Sequence, residues 1–265
     1  MDTVFRSEGF NLIDQGITYV AWGRGVEQAV RSALSAQRFG YRTCLITNES
    51  VRASCFERLI RVEGPLSTPS HKVAFYPLSP WETTLYLDTD TLVLNDLDFG
   101  FRQARLHGLA MAIAPACYLG PHWGLSVDPD IQQYNAGVIF YHRSHDGFSG
   151  LWTEVMRILD EEFVEGVHPA PVNDQSALSL HLSRSQKHPF VLNPNWNLRP
   201  QFGMRHGFGP IKIWHCDVPP PRTLNDERFW SIGNPYLRPA VLLSNLWIRV
   251  VARLRRELGR VTRTT

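Results

Sequence analysis

The sequence predicts an α/β domain with parallel strands, and three observations predict it. A β-branched run, Ile17 to Ala21, leads into a glycine-rich turn, Trp22-Gly23-Arg24-Gly25. Val26 to Gln37 then places Val26, Ala29, Val30, Ala33 and Leu34 at the spacing of one helix face. Gly40 stops that helix, and Arg42 to Thr47 supplies a second strand. Strand, turn, helix and strand in this order form a βαβ unit, whose strands run parallel. A chain of 265 residues can bury a sizeable core. Its 43% hydrophobic and 20% charged residues exclude a disordered or fibrous chain.

The remaining elements follow from the same patterns. Ser54 to Ile60 is expected as a short helix, and Gly64 to Ser70, rich in Gly, Pro and Ser, as a loop. His71 to Tyr76 reads as a helical turn or two, closed by Pro77 and Pro80. Thr84 to Leu87 is a strand that runs into Asp88-Thr89-Asp90, with a second apolar run at Thr91 to Leu94. Ala110 to Ala114 and Tyr134 to Tyr141 are strands, joined by a long loop carrying Tyr118, His122 and Trp123. Phe148 to Phe163 is an amphipathic helix with Trp152, Val155, Met156, Leu159 and Phe163 on one face. Asn173-Asp174-Gln175 opens another helix through Leu182. Val191 to Asn197 is a strand leading into a loop, and Ile211 to His215 a last short strand. The composition changes at Val218-Pro219-Pro220-Pro221, so residues 1–217 are expected as one domain and 218–265 as linker and C-terminal helix.

Charge separates these two parts. The net charge is +2, but the stretch from Arg238 carries seven arginines against Glu257 alone. The body is therefore net acidic, which argues against a nucleic-acid partner. In the tail, Leu243, Trp247, Val250, Leu254, Leu258 and Val261 recur at helical spacing among the arginines. Two readings fit it: a helix docked on the domain with a solvated basic face, or an interfacial helix on anionic lipid. Trp among many Arg tips the expectation toward peripheral membrane contact. Cys44, Cys55, Cys117 and Cys216 have neither C-x-x-C spacing nor a dense framework, so a reduced, cytoplasmic compartment is expected. The first ten residues carry charges where a signal peptide has an apolar run.

Four short motifs bear chemistry. Asp88-Thr89-Asp90 lies at a strand end, where open α/β sheets bind ligands. Two carboxylates one residue apart can both reach a divalent ion such as Mg²⁺ or Mn²⁺. A bare D-x-D is usually a solvated turn; the flanking apolar runs and the βαβ start favour function. His215 offers an imidazole to complete such a site, although a lone strand-end His is more often structural. Tyr134-Asn135-Ala136-Gly137 is either a tight turn or an amide aimed at sugar hydroxyls. Asn173 and Asp174 are ordinary helix caps when taken alone.

Taken together and in order, LYLDTDTLV, YNAGVIFY, NDQSAL and IKIWHCD resemble the GT-A-fold glycosyltransferases, most of all glycosyltransferase family 8, the glycogenin and bacterial galactosyltransferase group. Asn195-Trp196-Asn197 also sits where that family has a short Asn-ending segment, and the likeness spans about Tyr19 to Asp217. The resemblance implies a Rossmann-like, mixed but mainly parallel sheet flanked by helices. It implies that Asp88, Asp90 and His215 bind Mn²⁺ or Mg²⁺. It places Ala21, Trp22, Gly23, Thr47 and Asn48 at the nucleotide base, and Lys72 and Thr89 on the donor. It sets Asn135, Gly137, Asp174 and Gln175 around the sugar, the last two at the reacting centre. The family's block after the histidine carries a lysine; here Cys-Asp-Val-Pro follows His215, leaving Lys212, Arg205 and His206 as the candidate cations for the leaving phosphate.

The expected activity is transfer of a hexose from a nucleotide-diphosphate sugar, UDP-sugar favoured, to a hydroxyl of a carbohydrate or glycolipid, with retention as the resemblance implies. Two other classes stand beside it. A sugar nucleotidyltransferase expects a Gly-rich, Arg/Lys-bearing N-terminal signature, for which Trp22-Gly23-Arg24-Gly25 is too short. A non-catalytic nucleotide-sugar or glycan-binding protein would not need the full acidic and histidine set.

Overall fold

The computed structural model describes residues 14–63, 69–115, 128, 130–162, 174–200 and 209–220, with single positions between 243 and 254. The βαβ start is present: β1 (Gln15–Val20), α1 (Arg24–Gln37) and β2 (Thr43–Thr47), with β1 and β2 parallel. Then come β3 (Arg58–Arg61), β4 (Thr83–Leu87), β5 (Thr91–Val93) and α2 (Asp98–His107). The second half holds β6 (Leu109–Ile113), β7 (Tyr134–His142), α3 (Leu151–Glu162), α4 (Asp174–Arg184), β8 (Phe190–Leu192) and β9 (Ile213–His215). Seven strands form one sheet in the order β3-β2-β1-β4-β7-β6-β8, while β5 and β9 form a separate ribbon. The large sheet is mainly parallel; β7 runs antiparallel to both neighbours, β4 and β6.

The central strands are apolar on both faces because helices cover both. Ile17, Tyr19, Leu45, Leu85, Val138 and Phe140 pack against Ala29, Ala33, Phe101 and Ala104 of α1 and α2. Cys44, Ile46, Tyr86, Ile139 and Tyr141 pack on the opposite side with Val155, Leu159, Ala177 and Leu178 of α3 and α4. Strand residues alternate between the two cores, as a period of two requires. Burying each large side chain in this way contributes about 1.5–3 kcal/mol.

Two local expectations are corrected. Ser54 to Ile60 is not a helix. Its end becomes β3, paired parallel to β2 from Cys44↔Arg58 to Thr47↔Arg61, and Glu57 N–H bonds Thr43 O at 2.9 Å. The backbone thus finds sheet partners before a helical turn can close, and Cys55 and Phe56 are buried beneath. Val191 to Asn197 is strand only to Leu192; Asn193 then caps a short 3₁₀ turn by accepting from Asn195 N–H at 2.9 Å. The second apolar run is strand at Thr91 to Val93, outside the main sheet and paired with β9. The helical stretch around His71 appears as a 3₁₀ segment, Pro69–Leu78. Tyr118, His122, Trp123, Phe163 and Asn173 lie outside the described residues.

The ribbon has its own small core of Leu198, Ile211, Trp214, Cys216 and Val218, on which Leu92, Leu94 and Val251 pack. Val218 is buried, and its carbonyl accepts from Trp214 Nε1 at 2.7 Å, so the packed unit runs past Asp217. In the tail Val251 meets this cluster, while Leu243, Leu246, Trp247, Val250 and Leu254 are exposed. Among the described residues no helix is long and apolar enough to cross a membrane.

Candidate functional site

The site forms where β4 ends, and two features of the sequence bring its parts together. β4 delivers Asp88, whose N–H bonds Gly137 O of β7 at 2.8 Å. Thr91 Oγ1 donates to Asp88 O at 2.7 Å and closes the Asp-Thr-Asp turn. The chain then enters β5, and the pairing Thr91↔His215 brings the β9 histidine over that turn. His215 Nε2 lies 3.2 Å from Asp90 Oδ1 and 3.7 Å from Asp88 Oδ2.

Among the described residues Asp88, Asp90 and His215 form a group able to hold a metal ion, with one ligand atom from each lying within 4.8 Å of the others. Two carboxylates and one imidazole suit a hard divalent cation such as Mg²⁺ or Mn²⁺. Gly137 is what permits the approach. A Cβ there would stand 2.2 Å from His215 Cε1 and 2.6 Å from Asp88 Oδ2. Burial works to raise the Asp90 carboxyl, but the His215 ring and Arg199 outweigh it and hold the group below the usual range.

Asp88 divides its oxygens between two tasks. Oδ2 faces the histidine, while Oδ1 accepts from Lys72 Nζ at 2.5 Å and from Tyr86 Oη at 2.8 Å. Lys72 Nζ also pairs with Asp174 Oδ2 at 3.2 Å, and Tyr76 Oη donates to that oxygen at 3.4 Å. One buried ammonium therefore joins a metal-group acid to the acid that opens α4. Burial opposes the Lys72 charge, but Asp174 and Asp88 prevail and keep it well above the ordinary lysine range. Burial raises the Asp174 carboxyl, Lys72 draws it down, and the Asp88 charge adds to the rise. Tyr76 and Tyr86 are pushed up by burial and stay hydrogen-bond donors.

Most of the expected site residues converge. Ala21, Trp22, Gly25, Lys72, Asp88, Thr89 and Asp90 share the wall of a pocket of about 260 Å³. Gly23 turns with φ +54° after β1, and its N–H bonds Glu49 Oε1. Thr47 and Asn48 lie at the end of β2, beside β1, with Thr47 Oγ1 accepting from Glu49 N–H at 3.2 Å. Asn135 and Gln175 are buried and hydrogen-bonded to each other at 3.0 Å. Lys212 is not brought to the group. It pairs beside Leu94 at the far end of the ribbon, and Asp96 Oδ2 holds its Nζ at 2.7 Å. The spacing along β5 puts it about 10 Å from the Thr91 end. Arg205 and His206 lie outside the described residues.

Sequence reasoning missed what three residues contribute, Asn197 having been named only as part of the Asn-ending segment. Tyr86 lies two residues before Asp88, on the same strand face, and period two was the signal available. Gln28 bridges the site's two ends: its Oε1 accepts from Thr89 Oγ1 at 3.1 Å and its Nε2 donates to Asp217 Oδ1 at 2.7 Å. Asn197 hydrogen-bonds the His215 ring at 2.8 Å.

No family model and no curated protein matches the chain. Solved structures do match. The glycosyltransferase GlyE of Streptococcus pneumoniae TIGR4 superposes with a TM-score of 0.52 at 16% identity, over 94% of this chain and 64% of that one. Its apo form aligns over 71% of this chain and 48% of its own, with a TM-score of 0.49 and 16% identity. The chain thus spans about half to two thirds of GlyE. The galactosyltransferase LgtC, solved in complex with donor and acceptor sugar analogs, superposes with a TM-score of 0.52 at 16% identity, over 84% of this chain and 99% of its own. The mainly parallel seven-stranded sheet flanked by helices is the GT-A fold that these proteins share.

Proposed function

We propose that this chain is a metal-dependent glycosyltransferase. It moves a hexose from a nucleotide-diphosphate sugar, UDP-sugar first, to a hydroxyl of a carbohydrate or glycolipid acceptor with net retention. The observation that carries the reading is the Asp88, Asp90 and His215 group, whose two acids line a pocket together with Lys72, in this fold. LgtC was solved with donor and acceptor sugar analogs, and its fold has the same architecture. A bound Mn²⁺ or Mg²⁺ would supply Lewis-acid stabilisation of charge on the departing diphosphate.

The chain's own residues do the remaining work. Asp88 and Asp90 supply carboxylate oxygens and His215 its Nε2. Ala21, Trp22, Gly23, Thr47 and Asn48, at the ends of β1 and β2, line the base, and Thr89 and Lys72 hold the donor. Asn135, Asp174 and Gln175 orient the sugar, with Gly137 leaving room for close approach. Asp174 is already engaged by Lys72 and Tyr76, which suits it to binding sugar hydroxyls rather than deprotonating an acceptor on the opposite face.

The test is donor binding by calorimetry against a panel of nucleotide-sugars, with Mn²⁺ and with EDTA. One donor is expected to bind only with metal, and Asp90→Ala to abolish that binding while the protein stays folded. Metal-independent binding, or full transferase activity in Asp90→Ala, would overturn the reading.

The tail belongs to the same proposal. Exposed Leu243, Leu246, Trp247, Val250 and Leu254, in a segment rich in arginine, suit peripheral contact with the anionic inner face of a cytoplasmic membrane. Deletion of residues 243–265 is expected to reduce co-sedimentation with anionic liposomes; undiminished co-sedimentation sinks the membrane contact.

A further inference from the structure

A buried chain of amides leads from β7 to the His215 ring, and one irreversible donor sets its direction. Gly137 N–H bonds the Asn135 side chain at 3.0 Å. A side-chain amide can be turned end for end, but a backbone N–H only donates. The Asn135 atom facing Gly137 is therefore the oxygen. That same Oδ1 lies 2.7 Å from the Asn197 amide, so Asn197 presents its NH₂ there. The Asn135 NH₂ is then free to meet Gln175 Oε1 at 3.0 Å, which agrees with this orientation. The other end of Asn197, its oxygen, faces His215 Nδ1 at 2.8 Å. A carbonyl oxygen only accepts, so Nδ1 carries a proton. Asn135, Asn197, Gln175 and His215 are all at most 6% exposed, so bulk water does not compete for these groups.

We infer that Asn197 is a positioning residue that holds a proton on His215 Nδ1 and thereby aims Nε2 at Asp88 and Asp90. The inference rests on the metal-binding reading of those three residues. Metal-ligating histidines usually donate their second ring N–H to an oxygen, which fixes both tautomer and ring plane. Here the fixing oxygen belongs to an amide, and that amide is itself oriented through Asn135 by Gly137 N–H. Gly137 thus acts twice, leaving space for the ring and setting the sense of the hydrogen bonds that orient it. Gln175 at the far end links the residues proposed for the sugar to the metal ligand through two side chains.

The assay uses the full chain with isotope-labelled histidine, metal removed by EDTA, and NMR detection of ring N–H protons. A slowly exchanging Nδ1–H signal is expected in the wild type, assigned by its disappearance in His215→Gln. Asn197→Leu removes the acceptor, and Asn197→Asp keeps an acceptor oxygen while losing the donor to Asn135. The leucine variant is expected to lose the signal and to bind Mn²⁺ about 10–100-fold more weakly in calorimetry. The aspartate variant is expected to keep the signal and, with its second oxygen set against Asn135 Oδ1 where Asn197 donated at 2.7 Å, to lose less Mn²⁺ affinity than the leucine variant. The inference is overturned if the wild type lacks the Nδ1–H signal, if Asn197→Leu keeps both signal and affinity, or if Asn197→Asp falls as far as Asn197→Leu. A wild type that shows the signal but binds no Mn²⁺ refutes the metal reading alone, and the proton on Nδ1 stands.

Discussion

Gly137→Ala should dismantle the metal group while leaving most of the fold in place. The glycine's φ is outside the left-handed region, so the backbone accepts alanine and the effect is steric. The added Cβ would lie 2.2 Å from His215 Cε1 and 2.6 Å from Asp88 Oδ2. Carbon atoms rest about 3.5–4.0 Å apart, so the ring or the strand must give by about 1.3–1.8 Å. Metal-ligand distances tolerate only about 0.2 Å. His215 is buried at 2% exposure and cannot swing into solvent, so the strain falls on the Nε2 position or on β7. Overpacking of this kind costs about 1–3 kcal/mol of stability. Mn²⁺ affinity should fall by about 100-fold or more, at or beyond the upper end of losses from disturbing a ligand's support. Gly100→Ala is the control. Its Cβ would meet the Phe140 ring at 2.5 Å in the core, so it should lower the melting temperature as much. It should leave Mn²⁺ affinity unchanged. Calorimetric titration with Mn²⁺ and thermal unfolding of both variants decide the matter. Wild-type Mn²⁺ affinity in Gly137→Ala, or an equal loss of Mn²⁺ affinity in Gly100→Ala, would refute the reasoning.

Lys72→Met removes the ammonium that pairs with Asp88 and Asp174, and its side chain is only 11% exposed. Breaking buried pairs costs about 3–5 kcal/mol, readable by urea unfolding, and Asp174→Asn added to it should recover part of the loss. The Glu82 carboxyl is held low, first by the Ser144 hydroxyl against the opposing effect of burial. A depressed carboxyl adds stability above its unfolded value, about 4.3, and loses it as pH falls through the folded value. The melting-temperature advantage of wild type over Ser144→Ala should therefore be present at about pH 6 and shrink as pH falls below the unfolded value of about 4.3; a flat difference refutes the assignment. Ser35→Ala leaves the Val93 N–H, now bonded by Ser35 Oγ at 2.8 Å, without its partner. A loss of about 1–3 kcal/mol is expected in denaturant unfolding.

The fold was legible wherever one period dominated a run of residues. β1, α1, β2, β4 and β7 each show a clean apolar pattern, and each lies within a residue or two of its expected place. α2 carried no such signal, because Gly100 interrupts it and lowers its propensity. The glycine is there for packing: the Phe140 ring occupies the space a side chain would need. β3 was misread because it is only four residues long and, as a mostly exposed Arg-Leu-Ile-Arg run, shows no clean period of two. The D-x-D motif, Asn135, Gly137, Asp174 and His215 were visible as residue types and in order. Their mutual distances were not, since those depend on the β5–β9 pairing across more than a hundred residues. Lys212 was chosen by its nearness in sequence to His215, but neighbours on a strand point to opposite faces and three residues carry it down the ribbon.

The less visible determinant of the site is the polar side of α1. Gln28, Ser32 and Ser35 recur at i, i+4 and i+7, a spacing that places them on one helix face. Apolar periodicity alone passes over them. Gln28 accepts from Thr89, Ser32 Oγ lies 2.9 Å from Thr91 Oγ1, and Ser35 Oγ accepts from Val93 N–H. The stripe therefore grips every second residue from the D-x-D turn to the end of β5. Those bonds fix where β5 leaves the main sheet, and β5 fixes β9 through Thr91↔His215. The distance from His215 to Asp90 is thus set partly by three small polar groups on a helix that offers the metal group no ligand. Buried hydroxyls in such a role are costly unless fully bonded, and Ser32 is bonded twice, to Tyr19 Oη at 3.0 Å and to Thr91. Their value lies in direction: an apolar stripe would bury as well, but it would let the short strand slide, and a slip of one residue would turn Thr91 and His215 to the wrong face.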